Sequence, residues 1–420
     1  MPRTIALLLL VSLCFGTRSE AIETVRLGEG GLLTGIPGEG PLTIEAIRAW
    51  LADPANHREL RPELPLGLAA GAADLQAIDP PGAGANPLTR AKIELGRQLF
   101  FDPRLSRDGT VSCASCHAPE YGYAFPTQFG VGVAGQQGRR NSPTAANRVL
   151  SGAQFWDGRA ASLEEQAIGP MVNPIEMGFT HGAVVEMLRH VEGYVLQFKK
   201  VFPGEGLTIE NAGRAIASFE RALVSGPSAW DIAERRRQLR NAGVEDDPEL
   251  AAELAGLEAQ AVAQPLSDAA RRGATLFFGE RTGCTLCHAG ANYSDESYHN
   301  LGVGMQRLAG RNADEPIPAE LEDELDWGRY LVTKDEADRG AFKTPGLRNV
   351  AETGPYMHDG SQATLDEVVA WYVKGGEANP FLSPLLEPLD LTATEQAQLV
   401  AFLKALRGDW PAVETGRLPE

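Results

Sequence analysis

The sequence predicts an all-α protein in which helices joined by long loops are arranged as two related modules. Three observations carry this. Apolar residues recur at helical spacing over residues 163–166, 183–190, 212–223, 364–373 and 392–406, while strand-like alternation is sparse. The 46 glycines and 28 prolines mark many turns and long loops. The block at 95–101 (LGRQLFF) recurs at 272–278 (RGATLFF), with Gly second and Phe-Phe last in both. Such a block reads as a helix with an aromatic-aliphatic face and a glycine where another helix crosses closely. At 420 residues and 43% hydrophobic content the chain has material for two or three domains, each with its own core.

The elements follow in order. Arg3 precedes an apolar run from Ile5 to Phe15, and Ser19 and Ala21 are small residues at the −3 and −1 positions. Residues 1–21 therefore read as a secretory signal peptide. The run is short of the ~20 residues that span a bilayer, bulky Leu13 disfavours lipidation of Cys14, and no later stretch is apolar enough to span. The mature protein is expected to be exported, soluble and periplasmic. Residues 22–84 form an N-terminal extension with a helix opened by Thr43 and Gly/Pro-rich turns at 64–86. The first module is 85–255 and includes a Gly-rich loop at 130–140. The acidic, Ala-rich stretch 245–263 is a helix or linker between modules. The second module is 256–420, in which 312–327, acidic with two prolines, reads as a surface insertion. Thr364 and Thr392 each open an amphipathic helix, with an acidic residue two or three positions on.

A net charge of −18 argues against sequence-independent nucleic-acid binding, which needs clustered cations, and equally disfavours an anionic membrane surface as partner. Apart from Cys14, the cysteines occupy two identical frames, Cys113-Ala-Ser-Cys116-His117 and Cys284-Thr-Leu-Cys287-His288. Four cysteines in an exported chain could form two disulfides, and two CxxC pairs could bind one zinc. Neither explains the adjacent histidine. CxxCH is the attachment frame of c-type haem: the thiols add to the vinyl groups and the imidazole becomes the proximal iron ligand. Two covalent haems are predicted.

With both frames in place, the chain resembles the bacterial di-haem cytochrome c peroxidase/MauG family. The resemblance runs from about Gly96 to Leu406 and includes residues 342–350 (FKTPGLRNV) and 355–360 (PYMHDG). It implies two cytochrome-c-like domains with the haems facing the domain interface. In the peroxidase branch a histidine after the first frame closes that haem. Here no histidine follows His117 until His181, and Gln128 and Gln136 are weak substitutes. The first haem is therefore expected to be open, as in the MauG branch, with His181 folding back as the alternative. The second haem's distal ligand lies fourteen residues after the histidine of the HDG motif. From His358 this is Tyr372, an anionic oxygen donor that lowers the iron potential; Met357 competes.

The resemblance also places Trp156 between the haems and Gln166, Pro170 and Glu176 in the distal pocket. Glu176 would be the acid-base group for H2O2, Gln166 would orient peroxide or water, and Pro170 would shape the pocket. Asn141, Thr353 and Pro355 match a calcium site of hard oxygen donors. One position departs from the pattern. A surface Trp that relays holes in MauG itself is replaced by Thr282, so that another aromatic, such as Trp230 or Trp371, would serve. Three functions are weighed. The first is a periplasmic oxidase that reacts with H2O2 and uses a high-valent di-haem state to oxidise a Trp or Tyr of a partner protein. The second is peroxide removal with electrons from a small redox protein. The third, a plain electron carrier, is disfavoured by an open iron beside a carboxylate. A monomer or a homodimer fits all three.

Overall fold

The computed structural model describes residues 22–71, 86–244, 246–312 and 315–420. The signal peptide expected at 1–21, and most of the Gly/Pro-rich segment before the first module, lie outside them. The helices of nine residues or more are α1 (Ile44–Ala52), α2 (Arg90–Phe101), α3 (Leu163–Val172), α4 (His181–Arg189), α5 (Glu192–Val201), α6 (Ile209–Ala222), α7 (Ala229–Ala242), α8 (Pro248–Ala263), α9 (Asp268–Phe277), α10 (Leu365–Lys374) and α11 (Ala393–Lys404). Strands are minor, as expected. β1 (Glu23–Arg26) pairs parallel with β2 (Leu60–Glu63), and β3 (Tyr298–His299) pairs antiparallel with β4 (Phe342–Lys343).

The two modules are built on the same helix crossing. In the first, α2 packs against α6; in the second, α9 packs against α11. Both contacts are made at the glycine of the repeated block. A Cβ on Gly96 would lie 1.8 Å from the Ala215 carbonyl oxygen, and one on Gly273 would lie 1.9 Å from that of Gln398. Glycine inside a helix costs about 0.5–1 kcal/mol relative to alanine, and here it is what allows two backbones to touch. Phe100, Phe101 and Phe277 enter the adjoining cores, and each pair meets a third ring: Phe100 and Phe101 meet Phe219, while Phe277 and the exposed Phe278 meet Phe402.

The module limits expected from the sequence are crossed in several places. Leu27, Leu33, Leu60 and Leu68 of the N-terminal extension belong to the same core as α2 and α6. Position 255 falls within α8, which packs on α7 around Ile232, Leu239 and Leu257. The last residues return to the first module: Trp410 packs edge-on against Tyr123, and the fully buried Arg97 donates to the carbonyls of Glu414 and Arg417 as well as to Glu94. Residues 312–327 are more than a surface insertion. Leu321 and Trp327 are buried with Met305 and Leu308, and Asp326 accepts from Arg140 of the first module at 2.7 Å. A buried pair, Arg348 with Asp231, ties α7 to the second module.

Candidate functional site

Each CxxCH frame forms one tight turn followed by a reversal that aims its histidine. Residues Cys113–Cys116 form a helical turn, and the chain doubles back so that the His117 Nδ1 lies 3.2 Å from the Tyr123 carbonyl. In the second module Cys284–Leu286 form the turn, and the His288 Nδ1 lies 2.9 Å from the Tyr293 carbonyl. Tyr123 and Tyr293 both have positive φ, 58° and 54°, which turns their carbonyls toward the imidazoles. A carbonyl at Nδ1 fixes the proton there and leaves the Nε2 lone pair for a metal. All four thiols are free, so the disulfide reading does not hold. Burial pushes Cys116 and Cys287 up to about 11, which keeps these thiols neutral.

The frames open on two separate cavities, so one shared zinc is excluded as well. Cys113, Cys116 and His117 line a cavity of about 890 Å³; Cys284, Cys287 and His288 line one of about 480 Å³. Both volumes suit a large planar ligand. The two thiols beside an unprotonated Nε2 at each cavity wall are the donor set that covalent haem requires.

Opposite the histidines the two modules repeat each other at an offset of 202 residues. Asn147 and Asn349 have φ of 56° and 57°, and Phe155 and Met357 have φ of 66° and 70°. The bridges Gln154–Ala160 and Tyr356–Gln362 correspond, which places Trp156 opposite His358 in the repeat. Next come the distal helices, α3 and α10. Ser162 caps α3 while Glu165 reaches back to the Ala161 N–H at 2.8 Å; Thr364 caps α10 while Glu367 reaches back to the Ala363 N–H at 2.6 Å. Their cavity-lining residues correspond one for one: Leu163 with Leu365, Gln166 with Val368, Ala167 with Val369, and Pro170 with Tyr372.

The last pair differs most in chemistry. Tyr372 lines the second cavity, burial holds its phenol well above the ordinary range, and its hydroxyl makes no hydrogen bond among the described residues. Pro170, at the same place over the first cavity, has no donor atom. Gln166 and Glu176 line that cavity too. The Oε1 of Glu176 accepts from the Asn173 amide at 2.7 Å, and burial raises its acid above the usual carboxylate range against the opposing pull of Arg159. His181 is turned away, with its Nε2 3.0 Å from the Ile168 carbonyl. Gln128 and Gln136 are spent on the Asp359, Val133 and Pro174 carbonyls. Met357 shares the second cavity with Tyr372.

Trp156 lines both cavities. Its indole donates to the Asn141 carbonyl at 2.9 Å, and its own carbonyl accepts from Lys343 N at 2.8 Å. Asn141 in turn donates from its backbone to the His358 carbonyl at 2.7 Å, so the two halves are laced together at this residue. The Asn141 side-chain nitrogen faces the Thr127 and Gln128 carbonyls, and its Oδ1 accepts no hydrogen bond among the described residues. Thr353 and Pro355 line the same cavity as Asn141, and their carbonyls accept no hydrogen bond among the described residues. Thr282 is buried and donates to the Leu276 carbonyl at 2.7 Å.

Sequence reasoning missed the +202 repeat of the distal helices and two cations, Arg148 and Lys343, that line both cavities. The repeat was open to detection, because the WDG at Trp156 and the HDG at His358 sit 202 residues apart. The cysteine frames are 171 apart, and the extra segment near 300–330 shifts the register between the two offsets.

Comparison with known proteins bears on this arrangement. The family model for di-haem cytochrome c peroxidase matches residues 90–238. The chain is 36% identical over 340 residues to the methylamine utilization protein MauG of Methylorubrum extorquens, covering 81% of this chain and 84% of the relative. It is also 36% identical over 335 residues to the cytochrome c551 peroxidase of Pseudomonas aeruginosa, covering 79% and 83%. Among solved structures, a MauG-like protein associated with microbial copper homeostasis superposes with a TM-score of 0.64 at 31% identity, covering 77% of this chain and 91% of that one.

Proposed function

The chain belongs to the di-haem cytochrome c peroxidase/MauG family, oxidoreductases that act on peroxide, and from that premise we propose that it reduces H2O2 at the first cavity with electrons drawn from a periplasmic partner protein through the second. The observation that carries this reading is the exchange of Tyr372 for Pro170 on otherwise matching helices. One cavity is lined by a phenol as well as by its histidine; the other leaves the matching helix position without a donor. Haem c, held by Cys113, Cys116 and His117 in the first cavity and by Cys284, Cys287 and His288 in the second, would supply the redox chemistry, peroxide reduction in the first and electron exchange in the second.

The residues divide the remaining work. Glu176, half-buried beside Asn173, takes the proton from the near oxygen of H2O2 and returns it to the far one as the O–O bond breaks. Gln166, one helical turn before Pro170, orients the peroxide. Two electrons and two further protons complete the conversion to two waters. Trp156 bridges the cavities and carries oxidising equivalents between them. The outward path runs over aromatics from Phe277, which lines the second cavity, to Phe402 at 5.0 Å and Trp230 at 5.3 Å. Trp230 stacks at 5.5 Å on Phe278, which is 45% exposed and gives the path an outlet at the surface. The partner gives up one electron at a time from a Trp or Tyr side chain. In the absence of an indole at Thr282, Trp230 is the relay, since it stacks on the exposed Phe278; Trp371, whose indole donates to the Leu301 carbonyl, makes no ring contact with this path among the described residues. Asn141 Oδ1 and the carbonyls of Thr353 and Pro355, which line one cavity, would supply neutral hard oxygens to a Ca2+ between the halves.

The names of the relatives favour a second reading, because they include both MauG and plain cytochrome c peroxidases. In that case the donor is a small redox protein and nothing is permanently modified. Among the described residues no helix is long and apolar enough to cross a membrane. Stoichiometric H2O2 added to the ferric protein, followed in the near infrared, tests the proposal. Wild type is expected to show a charge-sharing band that Trp156→Phe abolishes while both haems stay attached. An unchanged band in the variant would remove the bridging role, and fast steady turnover with reduced cytochrome c would favour the second reading.

A further inference from the structure

The wall between the two cavities carries an unbalanced charge that the proposed chemistry does not use. Arg148 and Lys343 both line both cavities. Lys343 is 4% exposed; it pairs with Glu296 and donates to the Ala153 carbonyl. Arg148 donates to the Gln154 Oε1 at 2.9 Å and has no carboxylate within ion-pair distance among the described residues. Besides Glu296, the acid that acts on Arg148 is Glu220, which lines the first cavity, is buried and has an unpartnered Oε2; burial pushes it up to about 8, so it is neutral at neutral pH. Elsewhere along the first cavity the balance is kept, with Arg140 held between Asp157 and Asp326. A buried lysine and a half-buried arginine against one anion are costly unless a further anion arrives.

The backbone shows that this placement is built in. Lys343 is in β4, its N–H bonds to the Trp156 carbonyl, and its strand pairs with Tyr298. Arg148 follows the left-handed Asn147 and is fixed to Gln154, two residues before Trp156. Both cations are therefore anchored to the segment that carries the bridging indole. Two cavities that each take a haem bring four carboxylates into the protein.

We propose that Arg148 and Lys343 form one cationic bridge shared by the propionate carboxylates of both haems. The inference rests on the two-haem reading alone and is independent of which iron meets peroxide. A cation beside ferric iron disfavours the oxidised state, so a shared cation raises both potentials together.

Spectroelectrochemical titration of the loaded protein tests this with Arg148→Gln, Lys343→Gln and the conservative Arg148→Lys and Lys343→Arg. Each Gln variant is expected to retain two haems, to lower both midpoint potentials and to move the propionate bending bands of both haems in resonance Raman spectra, with recovery in the conservative variants. A shift confined to one haem would overturn the sharing, and no shift would overturn the contact. If Lys343→Gln does not accumulate, Arg148→Gln decides by the same criteria. Loss of peroxide reactivity would instead appear in the spin state and the rate with H2O2, not in a paired fall of potentials.

Discussion

Glu176 shows how a single position acquires its chemistry from its surroundings. Alone it is one carboxylate among 56 acidic residues; in the fold it faces a cavity, bonded to Asn173 and raised by burial. Because the base must be ionised to take a proton, the rate of reaction with H2O2 should fall as pH drops through a midpoint above the ordinary carboxylate range. Glu176→Gln should remove that limb and slow the step by ~10²–10⁴-fold with haem content intact, as read by stopped flow. An unaltered rate would take away its proton role. Glu220 makes a separate prediction. Its acid is raised to about 8 by burial, so the folded state holds a proton that the unfolded state has lost. Stability should therefore decline as pH rises from the ordinary carboxylate range toward 8, by on the order of a few kcal/mol. Glu220→Gln should flatten that decline in denaturant titrations; an equally steep decline in the variant would show that another group is responsible.

Among the elements, the helix crossings and distal helices were largely legible. The repeated Gly and Phe-Phe block announces α2 and α9 because two close backbones leave room for no other residue. Gly96→Ala should gain helix propensity and yet lower the melting temperature, since its Cβ would enter the Ala215 carbonyl; an unchanged or higher temperature would mean that the crossing yields easily. Helices α5 and α7 were not legible. The α7 sequence carries three consecutive arginines and only three large apolar residues, Trp230, Ile232 and Leu239, so no continuous apolar stripe marks it. It is defined instead by the reciprocal Ser228–Asp231 cap and by Gly243 at its end. The acidic segment 312–327 reads as surface on composition, but Leu321 and Trp327 find a local core that only the fold assembles. On α10, Tyr372→Met should raise the second haem's potential, because a thioether favours ferrous iron more than a phenolate does; an unchanged potential would remove Tyr372 as ligand.

For the molecule as a whole, the attachment residues could be read directly from the sequence because covalent chemistry demands a rigid spacing. The shared wall could not. Asn141, Arg148, Trp156 and Lys343 are brought together from two modules, and no local pattern records that they meet. The tail that returns to Tyr123 and Arg97 was equally hidden, since its contacts join residues far apart in the chain, by 317 and 320 positions at Arg97. If Ca2+ occupies the oxygen set at Asn141, Thr353 and Pro355, chelation should lower the melting temperature and added Ca2+ should restore it. A melting curve indifferent to both would leave those oxygens without a metal.

The account depends on two chemically unequal cavities, one bearing a phenol at the distal position and the other a proline. Electron paramagnetic resonance of the ferric, haem-loaded protein measures this most directly. One high-spin signal from the haem at Cys113 and Cys116, beside one low-spin signal altered by Tyr372→Met, is the predicted result. Two low-spin signals at rest, with a protein ligand such as His181 on the first iron, would contradict it.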